Sequence, residues 1–254
     1  MKIVLCGTPE GVGRRAADLV QERMARGPMT LGLATGSSPR STYEELERRH
    51  REEGLSFVGV TAFTLDEYVG LPRDHEQSYH STIRRELTDR VGLPLHQLHT
   101  PRGDAADPHE EAARYDREIR EAGGVDLQLL GIGANGHIGF NEPTSSLSSR
   151  TRVKVLTPAT RRDNSRFFRD EEVPRTCITQ GLGTIGEAKT AVLVAQGRSK
   201  AAAVRAMVEG PVSAMCPASA LQFHRRALIL LDDDAAAELS MLDYFREEQR
   251  LATR

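Results

Sequence analysis

Between Leu129 and Pro143 the chain reads L-L-G-I-G-A-N-G-H-I-G-F-N-E-P, an apolar run that ends in glycines and then sets out an amide, an imidazole and a carboxylate. These are Asn135, His137 and Glu142. An imidazole titrates near neutrality, and a carboxylate that fixes its tautomer makes it a tuned proton carrier. His137 and Glu142 are not at helical spacing, so a folded loop has to bring them together; a histidine satisfied by backbone in a turn is the plainer alternative. A second acidic group, Asp66, opens Asp66-Glu67-Tyr68 directly after a β-branched stretch. Partial desolvation would raise such a carboxyl above its usual value near 4 and make it a better base, while a loop acid capping a backbone group is the competing reading. Thr35-Gly36-Ser37-Ser38-Pro39 carries no charge, yet it sits between a strand and a helix. Its N–H groups and the positive helix end suit an anion, with Ser38 as N-cap and Pro39 in the first helical turn; the alternative is a simple strand-to-helix turn. Arg166 and Lys200 are candidate phosphate partners only in this company, since alone each reads as a solvated surface charge. Proton transfer on a small phosphorylated compound is the chemistry these residues suit together.

Other chemistries fit less well. Gly131, Gly133 and Gly136 spell the dinucleotide fingerprint G-x-G-x-x-G, but that motif needs a helix at its last glycine and an acidic residue roughly 20 positions on. Here Ile138-Gly139-Phe140-Asn141-Glu142-Pro143 follows, and the residues near Leu156 include the basic Arg152 and Lys154. The serine-rich turn lacks the Walker spacing, so a phosphomonoester suits it better than a triphosphate. The eight histidines are scattered, His96-Gln97-Leu98-His99 is not H-E-x-x-H, and no metal site or cofactor is expected.

The elements that must position these groups alternate along the chain. Strands are expected at Ile3 to Cys6, Met29 to Ala34, Val58 to Leu65, Val125 to Leu130, Val153 to Leu156, Ala191 to Ala195 and Ala227 to Leu231. Helices are expected through Val12, Ala16, Leu19 or Val20, and Met24, from about Pro39 to His50, from the N-cap Asp107 through Ala112, Tyr115 and Ile119, and from Lys200 to Val208. That alternation predicts an α/β fold with a mostly parallel sheet covered on both faces. With 254 residues and no linker or repeat, residues 1–254 read as a single domain. A formal charge of -2 argues against a general nucleic-acid binder. Cys6, Cys177 and Cys216 are few and widely spaced, which suggests reduced thiols in a cytoplasmic protein, and no segment suits a membrane or a signal peptide.

Taken in order, the motifs resemble the glucosamine-6-phosphate deaminase family over nearly the whole chain. The resemblance rests on L-G-L-A-T-G-S-S-P at Leu31 to Pro39, T-L-D-E-Y-V-G-L-P at Thr64 to Pro72, and G-H-I-G-F-N-E-P-x-S-S-L at Gly136 to Leu147. It extends through R-T-R-V-K at Arg150 to Lys154, N-S-R-F-F at Asn164 to Phe168, G-x-x-K at Gly197 to Lys200, V-E-G at Val208 to Gly210 and A-S-A-L-Q at Ala218 to Gln222. It implies a modified Rossmann-like three-layer fold and conversion of D-glucosamine 6-phosphate and water to D-fructose 6-phosphate and ammonia, without metal or cofactor. By this resemblance Asp66 moves the proton between C2 and C1 through an enolamine, and His137 opens the pyranose ring with Glu142 as its orienting partner. Asn135 stands where some members carry aspartate; an amide can orient the ring but holds no charge. Thr35, Gly36, Ser37 and Ser38 with Arg166 and Lys200 resemble the phosphate grip. Some members are hexamers activated by N-acetylglucosamine 6-phosphate at a site between subunits. Ser145, Ser146, Arg152, Lys154 and Tyr244 match that site, and a surface Arg-x-Lys pair on a strand is the alternative. A homo-oligomer is expected.

Rivals are a galactosamine 6-phosphate deaminase or isomerase, a 6-phosphogluconolactonase, and a non-catalytic sugar-phosphate sensor. The lactonases typically show T-A-S-L-F-P where this chain has Gly139-Phe140-Asn141-Glu142-Pro143, and a sensor would be expected to bring a DNA-binding module.

Overall fold

Apolar runs without polar alternation become strands of a parallel sheet, because helices cover both of its faces. The computed structural model describes residues 1–168 and 171–252. The chain opens with β1 (Lys2–Gly7), α1 (Pro9–Met24), β2 (Met29–Leu33), α2 (Arg40–Glu53) and β3 (Val60–Thr64). After β4 (Asp66–Tyr68) and the short α3 (Tyr79–Ile83) come β5 (Leu98–His99), α4 (Pro108–Glu121) and β6 (Leu127–Leu130). Then follow β7 (Arg152–Val155), α5 (Pro158–Asn164), β8 (Thr176–Thr179), α6 (Leu182–Gly186) and β9 (Ala191–Ala195). The chain continues through α7 (Ala201–Val208), β10 (Ala227–Asp232) and α8 (Leu242–Ala252).

Seven strands form one sheet in the order β1-β10-β9-β6-β2-β3-β5, and each adjacent pair is parallel. Successive side chains of a strand point to opposite faces. In β9, Val192 and Val194 therefore join Val12, Ala16 and Val20 of α1 and Leu46 of α2, while Leu193 joins Val204 and Met207 of α7 on the other face. This is the three-layer α/β arrangement. From β2 the chain progresses outward to β3 and β5; from β6 it progresses the other way to β9 and β10. The direction reverses between β2 and β6, and open α/β sheets hold ligands at such a point, beyond the strands' carboxyl ends.

A second sheet, β4-β8-β7, is antiparallel and sits beside this crevice. The expected strand at Val153 to Leu156 belongs here and not to the parallel sheet. Its polar residues and short length fit a sheet that is covered unevenly, with Val155 at 66% exposure. The third strand begins at Val60 and not at Val58, because Gly59 turns the backbone at φ 86°. Asp107 caps α4 through bonds from the His109 and Glu110 N–H groups at 2.7 and 3.2 Å. Among the described residues, no helix is long and apolar enough to cross a membrane.

Candidate active site

Over the reversal point lies a cavity of about 190 Å³, walled by the loop after β2, the loop after β6, the start of β4, and residues of α3, α5 and the turn before α7. Thr35, Gly36, Ser37 and Ser38 form one end, with Arg166 and Lys200 on the wall beside them. Gly36 has φ 100°, a conformation open to glycine and strained for other residues. Gly131 brings the loop after β6 against the Ser38 side chain, where a Cβ would stand at ordinary contact distance, 3.6 Å. Ser38 does not cap α2. Pro39 occupies the N-cap position with φ -78° and α2 starts at Arg40, so the Ser38 side chain is left to the cavity wall. Likewise α7 starts at Ala201, and a 3-10 turn over Arg198–Lys200 puts Lys200 at its N-cap. Burial lowers the Lys200 pKa, and repulsion from Arg166 lowers it further, against a weaker opposing pull from Asp163. Two cations that repel each other beside a glycine- and serine-rich loop suit a bound dianion.

At the other end Asp66 is the first residue of β4 and 4% exposed. Burial, helped by the neighbouring Glu67 carboxylate, pushes its pKa up to about 8, against hydrogen bonds from the Phe140 N–H and the Thr179 hydroxyl. The Thr179 contact is long, at 3.5 Å. Gly139, at φ 53°, crosses directly over the carboxylate; a Cβ there would lie 3.3 Å from Asp66 Oδ2. Glu67 points away from the cavity and accepts N–H groups from Tyr68, Tyr79 and His80, each at 2.9 Å. Burial still pushes its pKa up to about 7.

His137 lines the same cavity. Its ring lies across Gly133, where any Cβ would stand within 2.4 Å of three ring atoms. The loop closes on itself through Gly133 N–H to the His137 carbonyl, 2.9 Å, and Gly136 N–H to the Gly133 carbonyl, 2.9 Å. This closure sets His137 Nδ1 3.6 Å from Glu142 Oε2. That separation is longer than a hydrogen bond, and Nδ1 is buried without a partner. Asn135 Nδ2 donates to the same Glu142 oxygen at 2.8 Å, while the Asn135 carbonyl accepts the His137 backbone N–H at 3.2 Å. Burial opposes ionisation of Glu142, but the His137 ring, Thr160 and Asn135 outweigh it and hold the carboxyl at about 2. A buried carboxyl that titrates near neutrality and a histidine backed by a firmly ionised carboxylate can exchange protons with a ligand between them.

Asn135 and Glu142 thus stand behind His137, off the cavity wall. The remaining candidates divide. Ser145 Oγ and Arg152 Nη2 are buried without hydrogen-bond partners, and Arg152 Nη1 donates to Asn141 Oδ1 at 2.9 Å and to the Arg150 carbonyl at 3.3 Å. Ser146 is exposed and shares a 3.2 Å hydrogen bond with Ser148. Lys154 lies half-buried two residues along β7 from Arg152. Tyr244 stands elsewhere, 57% exposed on α8, which packs on β1, whereas β7 packs on β8 and α4. Sequence reasoning missed Tyr68, Tyr79, Asn164, Arg40 and Glu86, all on the cavity wall. Tyr68 and Asn164 lay inside quoted motifs, yet nothing in their spacing separates a wall residue from a core one.

The chain matches the family model for glucosamine-6-phosphate isomerases/6-phosphogluconolactonase over residues 9–230. It is 56% identical to the glucosamine-6-phosphate deaminase of Rhodococcus jostii (strain RHA1) over 247 residues, 97% of this chain and 95% of that protein. To the enzyme of the same name from Corynebacterium aurimucosum it is 55% identical over 254 residues, 99% of this chain and 100% of the relative. Among solved structures, a monomeric glucosamine-6-phosphate deaminase, described as a missing link of the NagB superfamily, superimposes with a TM-score of 0.91 at 41% identity. That likeness covers 94% of this chain and 100% of the other. The 6-phosphogluconolactonase of Trypanosoma brucei, at 20% identity and a TM-score of 0.72 over 94% of this chain and 98% of its own, shares the fold. With its sheet order, cavity and full-length matches in agreement, this chain belongs to the glucosamine-6-phosphate deaminase family.

Proposed function

We infer that the chain converts D-glucosamine 6-phosphate and water to D-fructose 6-phosphate and ammonia. One observation carries this reading: Asp66 and His137 share a single cavity whose far end holds the serine-rich loop, Arg166 and Lys200. A hexose phosphate needs its anion fixed at one end and proton carriers at the other. The loop and the two cations hold the phosphate. His137, oriented by Glu142 and Asn135, moves the proton between the anomeric hydroxyl and the ring oxygen as the pyranose opens. Asp66 takes the C2 proton, the enolamine forms, and the same carboxyl returns the proton to C1. Water then adds at C2 and ammonia leaves. C1 gains the hydrogen that C2 loses, so no external oxidant or reductant enters. A carboxyl that titrates near neutrality suits a group that must both accept and return a proton. The test is a stoichiometric assay for ammonia and fructose 6-phosphate from glucosamine 6-phosphate, with galactosamine 6-phosphate as the comparison. Release of neither product would overturn the reading, and faster turnover of the galactosamine ester would reassign the substrate.

The family's second site is the finer proposal. Ser145 Oγ and Arg152 Nη2 are buried without partners, and buried donors of this kind gain from an acceptor. Their neighbours Ser146 and Lys154, with Tyr244 arriving from another subunit, would complete a site for N-acetylglucosamine 6-phosphate in a homo-oligomer. Rate curves with and without that ester, alongside the molecular mass in solution, test it. Superimposable hyperbolae would leave these as structural residues, and linkage requires any activation to be reciprocal. The three unpaired cysteines support a cytoplasmic setting.

A further inference from the structure

Arg166 reaches the cavity from a segment with little intrinsic stability. α5 spans only Pro158–Asn164 and passes into a 3-10 turn over Ser165–Phe167 that carries Arg166, itself exposed. A helix of this length does not persist without tertiary anchors, and an exposed arginine loses rotamer freedom when a ligand fixes it. What anchors the segment near Arg166 is Tyr68. Asn164 Nδ2 donates to the Tyr68 phenol at 2.9 Å. Phe168, on the far side of Arg166, meets the Tyr68 ring edge-on with centroids 5.3 Å apart.

Tyr68 is 1% exposed and part of β4, two residues from Asp66. Its oxygen also accepts from the Tyr79 phenol at 3.3 Å, and Tyr79 lines the cavity together with Thr35 of the phosphate loop. Hydrogen bonds thus join Tyr79 and Asn164 through the Tyr68 oxygen. A phenylalanine would fill the aromatic cluster of Tyr68, Phe140 and Phe168 equally well. A buried hydroxyl costs free energy unless it is hydrogen-bonded, so the phenol oxygen needs a purpose beyond packing.

We propose that the Tyr68 hydroxyl is a positioning group: through Asn164 it holds Arg166 at the phosphate end of the cavity. This rests on the reading of Arg166 as a phosphate partner. It assigns no proton transfer to Tyr68.

The test is a double-mutant cycle in steady-state kinetics with glucosamine 6-phosphate, with thermal denaturation of each variant as a check on folding. Tyr68→Phe keeps the ring and removes the oxygen. It should raise KM about two- to tenfold, the range for one net hydrogen bond, with a smaller change in kcat. Asn164→Ala should do the same and serves if Tyr68→Phe folds poorly. In an Arg166→Ala background both effects should vanish, because the group being positioned is gone. If Arg166→Ala raises KM and the Tyr68→Phe and Asn164→Ala effects multiply with it, the tether is wrong and the phosphate grip stands. If Arg166→Ala leaves KM unchanged, the grip itself fails and the tether falls with it. A loss confined to kcat in Tyr68→Phe would also overturn the tether, moving Tyr68 into the chemistry beside Asp66.

Discussion

Two carboxyls serve one cavity from two regions, and their surroundings push them in opposite directions. Glu142 comes from the loop after β6, where Asn135, Thr157 and the His137 ring crowd around it; its pKa is held at about 2 although it is 2% exposed. Asp66 comes from the antiparallel sheet, two residues from the aromatic cluster of Tyr68 and Phe140 and beside another carboxylate, and burial pushes its pKa up to about 8. Both side chains are nearly closed to water, but Asp66 lies deeper among protein atoms and meets fewer donors. The loops at the end of the parallel sheet offer backbone and side-chain donors that favour negative charge, while the small sheet offers aromatic surface that disfavours it. Environments that drive two acids apart in this way separate a permanently charged orienting group from a group that exchanges protons near neutrality.

The largest effect should follow from Asp66→Asn, which keeps the shape and removes the proton acceptor. Turnover should fall on the order of a hundred- to ten-thousand-fold while substrate still binds. A folded variant with near wild-type kcat would break the division of roles just drawn. His137→Gln should cost about a hundredfold, the lower end of the same range, and more with the cyclic substrate than with an open-chain analogue. Equal losses on both would remove His137 from ring opening.

The phosphate end divides the same way. Lys200 is half-buried at the foot of α7, behind the Gly197 turn whose N–H both Asp232 oxygens accept at 3.1 and 2.9 Å. Arg166 is exposed on the short turn after α5. Charge-assisted contacts are worth roughly 1.5–3 kcal/mol, and solvent and salt weaken the exposed one. Lys200→Ala should therefore raise KM by several tens-fold and Arg166→Ala by about tenfold, with only the Arg166 effect shrinking strongly as ionic strength rises. The reverse ranking would mean that the segment after α5, and not the end of the parallel sheet, dominates recognition.

The same contrast explains what could be read from residues alone. The parallel strands were legible because β2 and β9 are buried at every position, and such runs have one stable use. The small sheet was not: β4 has three residues, β8 has four, and the strand expected at Val153 to Leu156 carries no sign that it pairs outside the parallel sheet. Asp66, Asn135, His137 and Glu142 were found by residue type and motif, and the loop that gathers the last three was inferred from spacing. The shifts of Asp66 and Glu142 were beyond reach in size, because they depend on donors from distant segments such as Thr179 and Thr160. The Ser38 cap failed for a local reason: the turn at Pro39 took the capping position itself.

The smallest predicted effect is on stability, and it compares the two carboxyls directly. Asp66 has a folded pKa raised to about 8 from 3.8. Between those values the folded chain holds a proton that the unfolded chain has released, so stability from this group is complete below pH 4 and is lost as pH rises toward 8. Asp66→Asn removes that loss. Its Tm should match the wild type below pH 4 and exceed it increasingly as pH rises toward 8. Glu142, lowered to about 2 from 4.5, has the opposite sign: its stabilisation is present above pH 4.5 and is lost as pH falls toward 2. Glu142→Gln should therefore be less stable than wild type at pH 7, with the gap narrowing in acid. Glu67, also raised, to about 7, remains in both variants and adds a common slope, so the readout is the difference from wild type at each pH. Thermal denaturation from pH 2 to 9 measures it. Parallel curves for wild type and Asp66→Asn would show that Asp66 is solvated in the folded chain, and the small sheet would lose its part as the region that keeps a carboxyl neutral.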